Sequence, residues 1–358
     1  MDDLLIKTLE LCRDPMLILR EGKLCCLNLA ARSLFGTDPP GVCPPELEAS
    51  GILSVPAERF LSTVSIRGRG YAVSALRDGS DLLLSLSPES PPQEVLGCLS
   101  DGLLTEMRSE LCNLGLAMER LRSVSERGGD PSKYLAVLNH NYHLLNHRLS
   151  NLTFCCAAAE KRLMVVLRSV DLAALCRGIA DTIHAAAPDC AGIEFSSTED
   201  PFIVCVDTAK VERLILNLLS NSLRHSPADR PVRLRLSRSG SNVVLCVDDS
   251  GCGIPPEKLR NVFCSYRNRM DDRNPSLSGA GLGLGICQRI AELHGGALIL
   301  ESRPGEGTSV RVLLPLDPPG ANQFRAGDPS TDAGGMSVLL TELSDVLPLS
   351  AYGPRFSD

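Results

Sequence analysis

The chain has 358 residues, of which 44% are hydrophobic and 22% are charged, and its formal net charge is -7. This length predicts two or three domains. The acidic balance argues against a general nucleic-acid-binding surface, so we expect no nucleic-acid partner. No apolar run approaches the ~18 residues of a membrane helix, and the acidic N-terminus lacks the basic region of a signal peptide. We therefore expect a cytoplasmic protein without a membrane span.

Residues 1–88 contain short apolar runs separated by turn residues, which is typical of a small α+β domain. The pattern predicts two strand pairs and one short helix, at 15–20 with 23–28, at 70–76 with 81–87, and at 29–35. This order, and the stretch DPMLILREGKLCCLNLAARSLFG in particular, resembles a compact PAS sensor domain. The resemblance implies either small-ligand sensing or a purely dimerising role. No histidine precedes His140, which excludes a histidine-ligated haem.

Two long helical patterns follow within residues 93–160. Apolar residues recur at alternating spacings of three and four, at Met107, Leu111, Leu114, Met118 and Leu121 and then at Leu135, Leu138, Tyr142, Leu145, Leu149 and Leu152. The breaker RGGDP separates the two patterns, so we predict an antiparallel helical hairpin. One hairpin has little core of its own, and we therefore expect two copies to form a four-helix bundle in a homodimer.

Residues 168–316 mix helical and strand patterns. The sequence predicts helices at 171–187, at 210–225 and after the glycines near 283, and strands at 193–196, 202–206, 232–237, 242–248, 297–302 and 308–314. Helices over a mixed or antiparallel sheet form an α/β sandwich. The whole chain is therefore predicted to be an α+β multidomain protein. For the tail at 317–358 we expect disorder or packing on the body, with a short helix at 336–347 and no chemistry.

A glycine-rich stretch at 278–296, SGAGLGLGICQRIAELHGG, leads into a helix. Backbone N–H groups point outward at a helix N-terminus, and the helix dipole favours an anion there. Glycine allows the backbone to approach a ligand closely. The stretch therefore predicts a phosphate-binding turn, and a loose loop is the alternative.

Two further motifs carry polar residues at informative spacings. Asn217, Asn221 and Arg224 lie at i, i+4 and i+7, so they share one helix face. Two amides and a guanidinium can hold hydrated Mg²⁺ and a polyphosphate, or they can form an ordinary solvated face. Asp249, in DDSGCGI directly after a strand, can accept a hydrogen bond from an exocyclic amine, while the glycines admit a flat base. A simple Asx turn is the alternative.

In this order and spacing, the motifs resemble the ATP-binding domain of sensor histidine kinases, within the gyrase, Hsp90, histidine kinase and MutL superfamily. The resemblance runs from about 171 to 315 and includes NLLSNSLRHSP, DDSGCGI, a degraded NVFCSYRN and GAGLGLGI. It implies that Mg·ATP binds here and that its γ-phosphoryl group passes to a histidine of the helical hairpin. It also implies a response regulator receiver domain as the partner that accepts the phosphoryl group next.

The resemblance assigns a role to each matching position. Asn221 would coordinate Mg²⁺, and Asn217 would polarise water or the γ-phosphate. Arg224 stands where the family usually has lysine and would contact phosphates. Asp249 would bind the adenine amine. The remaining nucleotide-binding positions give the base room or form the lid hinge, and they are Gly251, Gly253, Gly279, Gly281, Leu282 and Gly283. Residues 267–277 would form the mobile lid.

The acceptor helix departs from the family pattern. The stretch TEMRSEL, which begins at Thr105, aligns with the family's His-Glu-Leu-Arg-Thr-Pro-Leu box. Thr105 thus occupies the phosphoacceptor position, and Glu110 replaces the proline. A threonine hydroxyl is a poor nucleophile without a base, and Glu106 stands where the family keeps its general base. We expect Thr105 to be exposed on its helix.

A second set of candidate acceptors consists of His140, His143 and His147, which share the face opposite the apolar seam of their helix. We expect a solvated polar face, with a metal site or an acceptor as alternatives.

Three hypotheses for the function of the chain follow from these observations. The chain is a histidine kinase homologue of ordinary chemistry, a non-phosphorylating ATP-binding regulator that acts by binding a partner, or a kinase with an unusual acceptor.

Overall fold

The computed structural model describes residues 14–20, 23–35, 41–42, 45–50, 52–55, 59–88, 101–160, 162–188, 192–255, 282–316 and 335–353. The stretch NVFCSYRN, the predicted lid at 267–277, Gly279 and Gly281 lie outside these residues.

Most of the described strands form one large sheet. Its 11 strands are β1 Met16–Arg20, β2 Lys23–Cys26, β3 Gly41–Val42, β4 Arg59–Ile66, β5 Arg69–Asp78, β6 Asp81–Pro88, β8 Ile193–Ser197, β10 Val232–Ser239, β11 Asn242–Asp248, β12 Ala297–Arg303 and β13 Gly307–Pro315. Their spatial order is β3-β2-β1-β6-β5-β4-β12-β13-β11-β10-β8. Neighbours are antiparallel except β8 and β10, which are parallel. A separate antiparallel pair consists of β7 Arg168–Asp171 and β9 Ile203–Val206.

The helices follow apolar faces that the sequence supplies. They are α1 Leu29–Phe35, α2 Pro45–Ala49, α3 Asp101–Glu126, α4 Ser132–Ala159, α5 Leu172–Ala186, α6 Thr208–His225, α7 Gly283–Leu293 and α8 Gly335–Glu342, with short 3-10 turns at Ile52–Ser54 and Leu349–Tyr352. Aspartates cap two of them: the Asp171 carboxylate accepts from Ala173 N and Ala174 N, and the Asp207 carboxylate accepts from Lys210 N. Such caps satisfy N–H groups that have no partner within the helix.

Strand β12 borders both hydrophobic cores of the described chain. Its side chains alternate between the two faces of the sheet, as in any strand. Leu298 and Leu300 lie in the larger core, with α5, α6 and α7, whereas Ile299 lies in the core of the N-terminal strands. Beside it, β4 pairs through Leu61 with Leu300, and Ser62 Oγ donates to Leu298 O at 3.0 Å. The N-terminal strands therefore continue the sheet of the C-terminal half.

Helices α3 and α4 contact each other along the predicted hairpin. Arg148 of α4 reaches Glu106 and Glu110 near the start of α3, so the two helices run antiparallel. Several apolar residues of the predicted seam are exposed in the single chain, among them Leu111 at 53% and Met118 at 62%. The hairpin therefore leaves apolar surface uncovered by its own chain.

The C-terminal helix α8 and the turn that follows it lie against the body. Leu339, Leu340, Leu343 and Leu347 are buried in the larger core. Tyr352 is 1% exposed, and its hydroxyl donates to Leu340 O at 2.9 Å. Of the two expectations for the tail, packing on the body is thus correct for residues 335–353.

The structure corrects one interpretation of the hairpin. We expected His140, His143 and His147 to lie on a solvated face, but the C-terminal segment covers them. His143 is 9% exposed, and its Nδ1 lies 2.8 Å from Thr341 Oγ1. The His140 ring meets the Tyr352 ring edge-on, with centroids 4.8 Å apart.

Candidate functional site

Helix α6 positions the two asparagines of the predicted phosphate site. Its apolar face, which includes Leu214 and Leu218, is buried against the sheet and fixes its orientation. Asn217 is 4% exposed, and its Nδ2 donates to Arg213 O at 3.0 Å. Asn221 lies one turn further on and is half-buried. The spacing of four residues therefore places both amides on one face, as the sequence predicts.

Gly283, at the start of α7, lies directly against these asparagines. A Cβ atom at this position would come within 2.9 Å of Asn217 Oδ1 and 3.3 Å of Asn221 Nδ2. Leu282, which precedes it, is buried. The structure thus brings the glycine-rich stretch and the α6 asparagines together, although more than sixty positions separate them along the chain. A side chain at position 283 would therefore displace these amides.

The turn after β11 holds Asp249 in a fixed orientation. Its Oδ1 accepts from Gly251 N at 2.9 Å and from Thr308 N at 3.1 Å. Burial raises the pKa of the Asp249 carboxyl, and the hydrogen bonds from these two backbone N–H groups offset part of that rise. The first bond has the form of an Asx turn, while the second ties the carboxylate to β13.

The two glycines of this turn are constrained by backbone on either side. A Cβ on Gly251 would lie 2.5 Å from His225 O, at the end of α6. Gly253 has a φ of +67°, and a Cβ there would lie 2.0 Å from Arg303 O. The turn therefore lies between the end of α6 and the β12–β13 hairpin.

Sequence reasoning missed Gly307 and Thr308, which hold Asp249 from the opposite strand. A Cβ on Gly307, whose φ is +99°, would lie 2.1 Å from Asp249 O. Asp249 N also donates to Thr308 O at 2.8 Å. The turn PGEG at 304–307 was recognised as a hairpin signal, but the sequence carries no sign that it locks a carboxylate.

The C-terminal segment supplies two carboxylates to the same place, and sequence reasoning missed both. Glu342 Oε2 accepts from Asn217 Nδ2 at 2.9 Å, and Glu342 Oε1 lies 3.5 Å from Arg213 Nε. Asp345 Oδ2 lies 2.7 Å from an Arg224 guanidinium nitrogen. Three cationic or amide side chains of α6 are therefore engaged by acidic residues of the tail.

The acceptor region of α3 contains a buried ion-pair cluster. Thr105 is exposed, as predicted. Its neighbour Glu106 is paired with Arg148 Nη1 at 2.5 Å, and Glu110 is paired with Arg148 Nε at 2.5 Å. Burial raises the pKa of the Glu110 carboxyl, and the adjacent Arg148 counteracts this. Oε2 of Glu106, the carboxylate next to Thr105, is therefore engaged by an arginine.

The donors around Asn217 fit a magnesium ion held together with phosphates. In the described part of the chain, no group of three or more His, Cys, Asp or Glu residues could hold a metal ion. Amide oxygens such as those of Asn217 and Asn221 are among the ligands that Mg²⁺ takes, and Mg²⁺ usually keeps water and substrate phosphates in its shell. The Asn217 amide is held by Arg213 O and Glu342.

Comparison with known proteins identifies the domain that this geometry forms. Residues 206–318 match the family model described as "Histidine kinase-, DNA gyrase B-, and HSP90-like ATPase". The matched segment contains α6, the Asp249 turn and α7. The chain therefore carries an ATPase domain of the histidine kinase type.

The relatives of the chain are sensor kinases, which are phosphotransferases. The sensor histidine kinase TmoS of Ectopseudomonas mendocina is 29% identical over 217 residues, or 60% of this chain and 22% of TmoS. The adaptive-response sensory kinase SasA of Synechococcus sp. (strain JA-3-3Ab) is 30% identical over 222 residues, or 60% of this chain and 58% of SasA. The chain thus spans less than two thirds of the length of these curated relatives.

One match among solved structures is histidine kinase ThkA in complex with response regulator protein TrrA. Its identity to this chain is 16%, its TM-score is 0.47, and the similarity covers 88% of this chain and 98% of that chain. A search of the described helices finds none long and apolar enough to cross a membrane.

Proposed function

We propose that the chain binds Mg·ATP between α6, the Asp249 turn and the N-terminus of α7. The observation that carries this proposal is the contact of Gly283 with both Asn217 and Asn221. It joins a helix N-terminus, which favours phosphate, to two amides that can hold Mg²⁺. The match to the histidine kinase-type ATPase family at 206–318 supports it.

Each residue of the site has a physical task in this proposal. Asp249, fixed by Gly251 N and Thr308 N, accepts from the exocyclic amine of adenine. Asn221 and Asn217 hold Mg²⁺ and a water or phosphate oxygen, and Arg224 neutralises phosphate charge. The metal ion would supply electrostatic stabilisation of the transferring phosphoryl group. In phosphoryl transfer, the protein acts mainly by positioning groups and neutralising charge.

We propose further that the chain belongs functionally to two-component signalling, with transfer of the γ-phosphoryl group to a protein acceptor and then to a response regulator receiver domain. Its sensor-kinase relatives support this. The four units of the proposal are a PAS-like sensor domain at 1–88, a dimerising hairpin at 93–160, an ATP-binding domain at 168–316 and a tail at 317–358. The exposed apolar residues Leu111 and Met118 support a homodimer through the hairpin. The cytoplasmic location remains a prediction.

A specific observation favours the second candidate function, a non-phosphorylating ATP-binding regulator. Thr105 replaces the usual acceptor histidine, and Glu106 beside it is paired with Arg148. The carboxylate that follows the acceptor position is therefore engaged by an arginine, which disfavours its use as a base. In this alternative, the chain binds ATP and acts by binding a partner.

Incubation of the purified chain with γ-labelled ATP and Mg²⁺ distinguishes these functions. Acid-stable label that is lost in Thr105→Ala identifies threonine as the acceptor. Acid-labile label that is lost in a His140, His143 or His147 variant identifies a histidine. Absence of label, with ATP binding that is lost in Asp249→Asn, identifies the regulator. Failure of the chain to bind ATP refutes every version.

A further inference from the structure

The C-terminal segment 335–353, which we call the plug, lies on the residues assigned to Mg²⁺ and phosphate. We propose that the plug is an autoinhibitory occupant of the ATP site, whose Glu342 and Asp345 carboxylates take the place of phosphate oxygens and must leave before Mg·ATP binds. This inference rests on the proposed function, because it takes Asn217 and Arg224 to be nucleotide-binding residues.

The plug is seated by a continuous apolar face. Leu339 and Leu343 lie one helical turn apart and are buried in the larger core, and Leu347 continues the contact. A buried tyrosine, Tyr352, closes the far end and bonds back to Leu340 O. Residues with this degree of burial hold the segment in one register, so its polar residues have fixed positions.

Glu342 lies at the centre of the polar contacts. It is 5% exposed, accepts from Asn217 Nδ2 at 2.9 Å, and lies 3.5 Å from Arg213 Nε. Its Oε2 also lies 3.3 Å from His147 Nδ1. A carboxylate at this depth requires partners of opposite charge or hydrogen-bond donors. The partners that it uses here include the amide of Asn217, which belongs to the proposed phosphate site, and the guanidinium of Arg213.

Asp345 makes the second contact of this kind, with Arg224 at 2.7 Å. Arg224 and Asn217 lie two turns apart on the same face of α6, so the two carboxylates of the plug engage two of the side chains assigned to Mg²⁺ and phosphate. Arginine and amide donors bind carboxylate and phosphate oxygens with similar geometry. The two anions therefore compete for the same donors, and their like charges disfavour simultaneous binding.

The plug also joins the ATPase domain to the helical hairpin. Thr341 contacts His143 of α4, and Asn139 Nδ2 of α4 donates to Tyr352 O at 3.1 Å. Displacement of the plug would therefore release contacts of α4 together with those of α6. Replacement of the plug by Mg·ATP would therefore also change the surface of the helical hairpin. In this way, nucleotide binding would regulate the hairpin.

A titration of Mg·ATP into the full chain tests the proposal. The double variant Glu342→Gln/Asp345→Asn retains side-chain size and removes both charges. We expect it to bind Mg·ATP about tenfold more tightly than the wild type. The control Glu199→Gln removes one charge from an exposed pair with Arg238, away from the site, and should leave the affinity unchanged.

An unchanged or weaker affinity in the double variant overturns the proposal. A weaker affinity would show that Glu342 or Asp345 helps to bind the nucleotide or its metal. If no chain binds Mg·ATP, the proposed function fails and the inference fails with it, whereas equal binding by all three chains refutes the plug alone.

Hydrogen exchange of the wild type gives a second measure that needs no variant. Mg·ATP should increase exchange in 335–353, and a decrease there contradicts the proposal.

Discussion

Gly283→Ala tests the site directly, because the added methyl group would come too close to the side chains of the two asparagines. Its Cβ would lie 2.9 Å from Asn217 Oδ1, closer than real Cβ contacts, and 3.3 Å from Asn221 Nδ2. Asn217 cannot retreat freely, because its Nδ2 is bonded to Arg213 O on its own helix at 3.0 Å. The asparagine side chains must therefore shift by a few tenths of an ångström.

The cost of this shift follows from the contacts that it disturbs. Weakening one hydrogen bond costs about 0.5–1.5 kcal/mol, and an off-rotamer side chain costs about the same. We therefore expect Gly283→Ala to weaken Mg·ATP binding by about 1–3 kcal/mol, which corresponds to roughly 5- to 150-fold in the dissociation constant. The reason is that both displaced amides are the proposed metal and phosphate ligands.

Gly285→Ala provides the matched control on the same helix. A Cβ there meets nothing within 4 Å, so the substitution should leave the affinity unchanged. Alanine should also stabilise the helix interior by about 0.5–1 kcal/mol relative to glycine. Calorimetric titration gives the affinities, and urea unfolding gives the stabilities. Equal ATP affinity in the two variants would refute the assignment of Asn217 and Asn221 to the nucleotide site.

Two predictions concern the hairpin. Arg148→Ala leaves Glu110 buried without its partner, so it should lower the free energy of unfolding by about 3–5 kcal/mol. Arg122→Ala, which breaks an exposed pair on α3, should cost less than about 1 kcal/mol. Similar urea midpoints for the two variants would contradict this. Burial lowers the pKa of His140 and His143, and the unfolded chain takes up these protons near pH 6.5. The contribution of these two neutral histidines to the free energy of unfolding is therefore fully present above about pH 6.5 and is lost as the pH falls below it. A double His→Gln variant that loses as much stability in acid as the wild type would contradict this.

The second half of the chain could be predicted well because its burial pattern is regular. In β11, Val243, Leu245 and Val247 are buried, and the predicted bounds 242–248 are those of the structure. Strand β4 was missed because its buried positions include Ser62 and Thr63, so hydrophobic alternation does not reveal it. Its neighbour β12 comes from a distant part of the sequence, and no local pattern records this pairing.

For the site, local spacing placed Asn217 and Asn221 on one face and identified Asp249. The approach of Gly283 to the asparagines and the hydrogen bond from Thr308 N to Asp249 are seen only in the structure, because no local rule specifies them. Glu342 lies 125 positions from Asn217, and a tail rich in leucine and serine gives no sign of its binding place. The same absence of long-range information explains why the histidines of α4 were wrongly expected to be solvated.

Hydrogen exchange of the full chain with and without Mg·ATP tests the central claim most directly, because it reports on both sides of the site in one measurement. We predict that Mg·ATP slows hydrogen exchange at the turn from Asp249 to Gly253 and at the start of α7, and at the same time increases hydrogen exchange in 335–353. If saturating Mg·ATP leaves hydrogen exchange at the Asp249 turn and at the start of α7 unchanged, the proposed nucleotide site is contradicted.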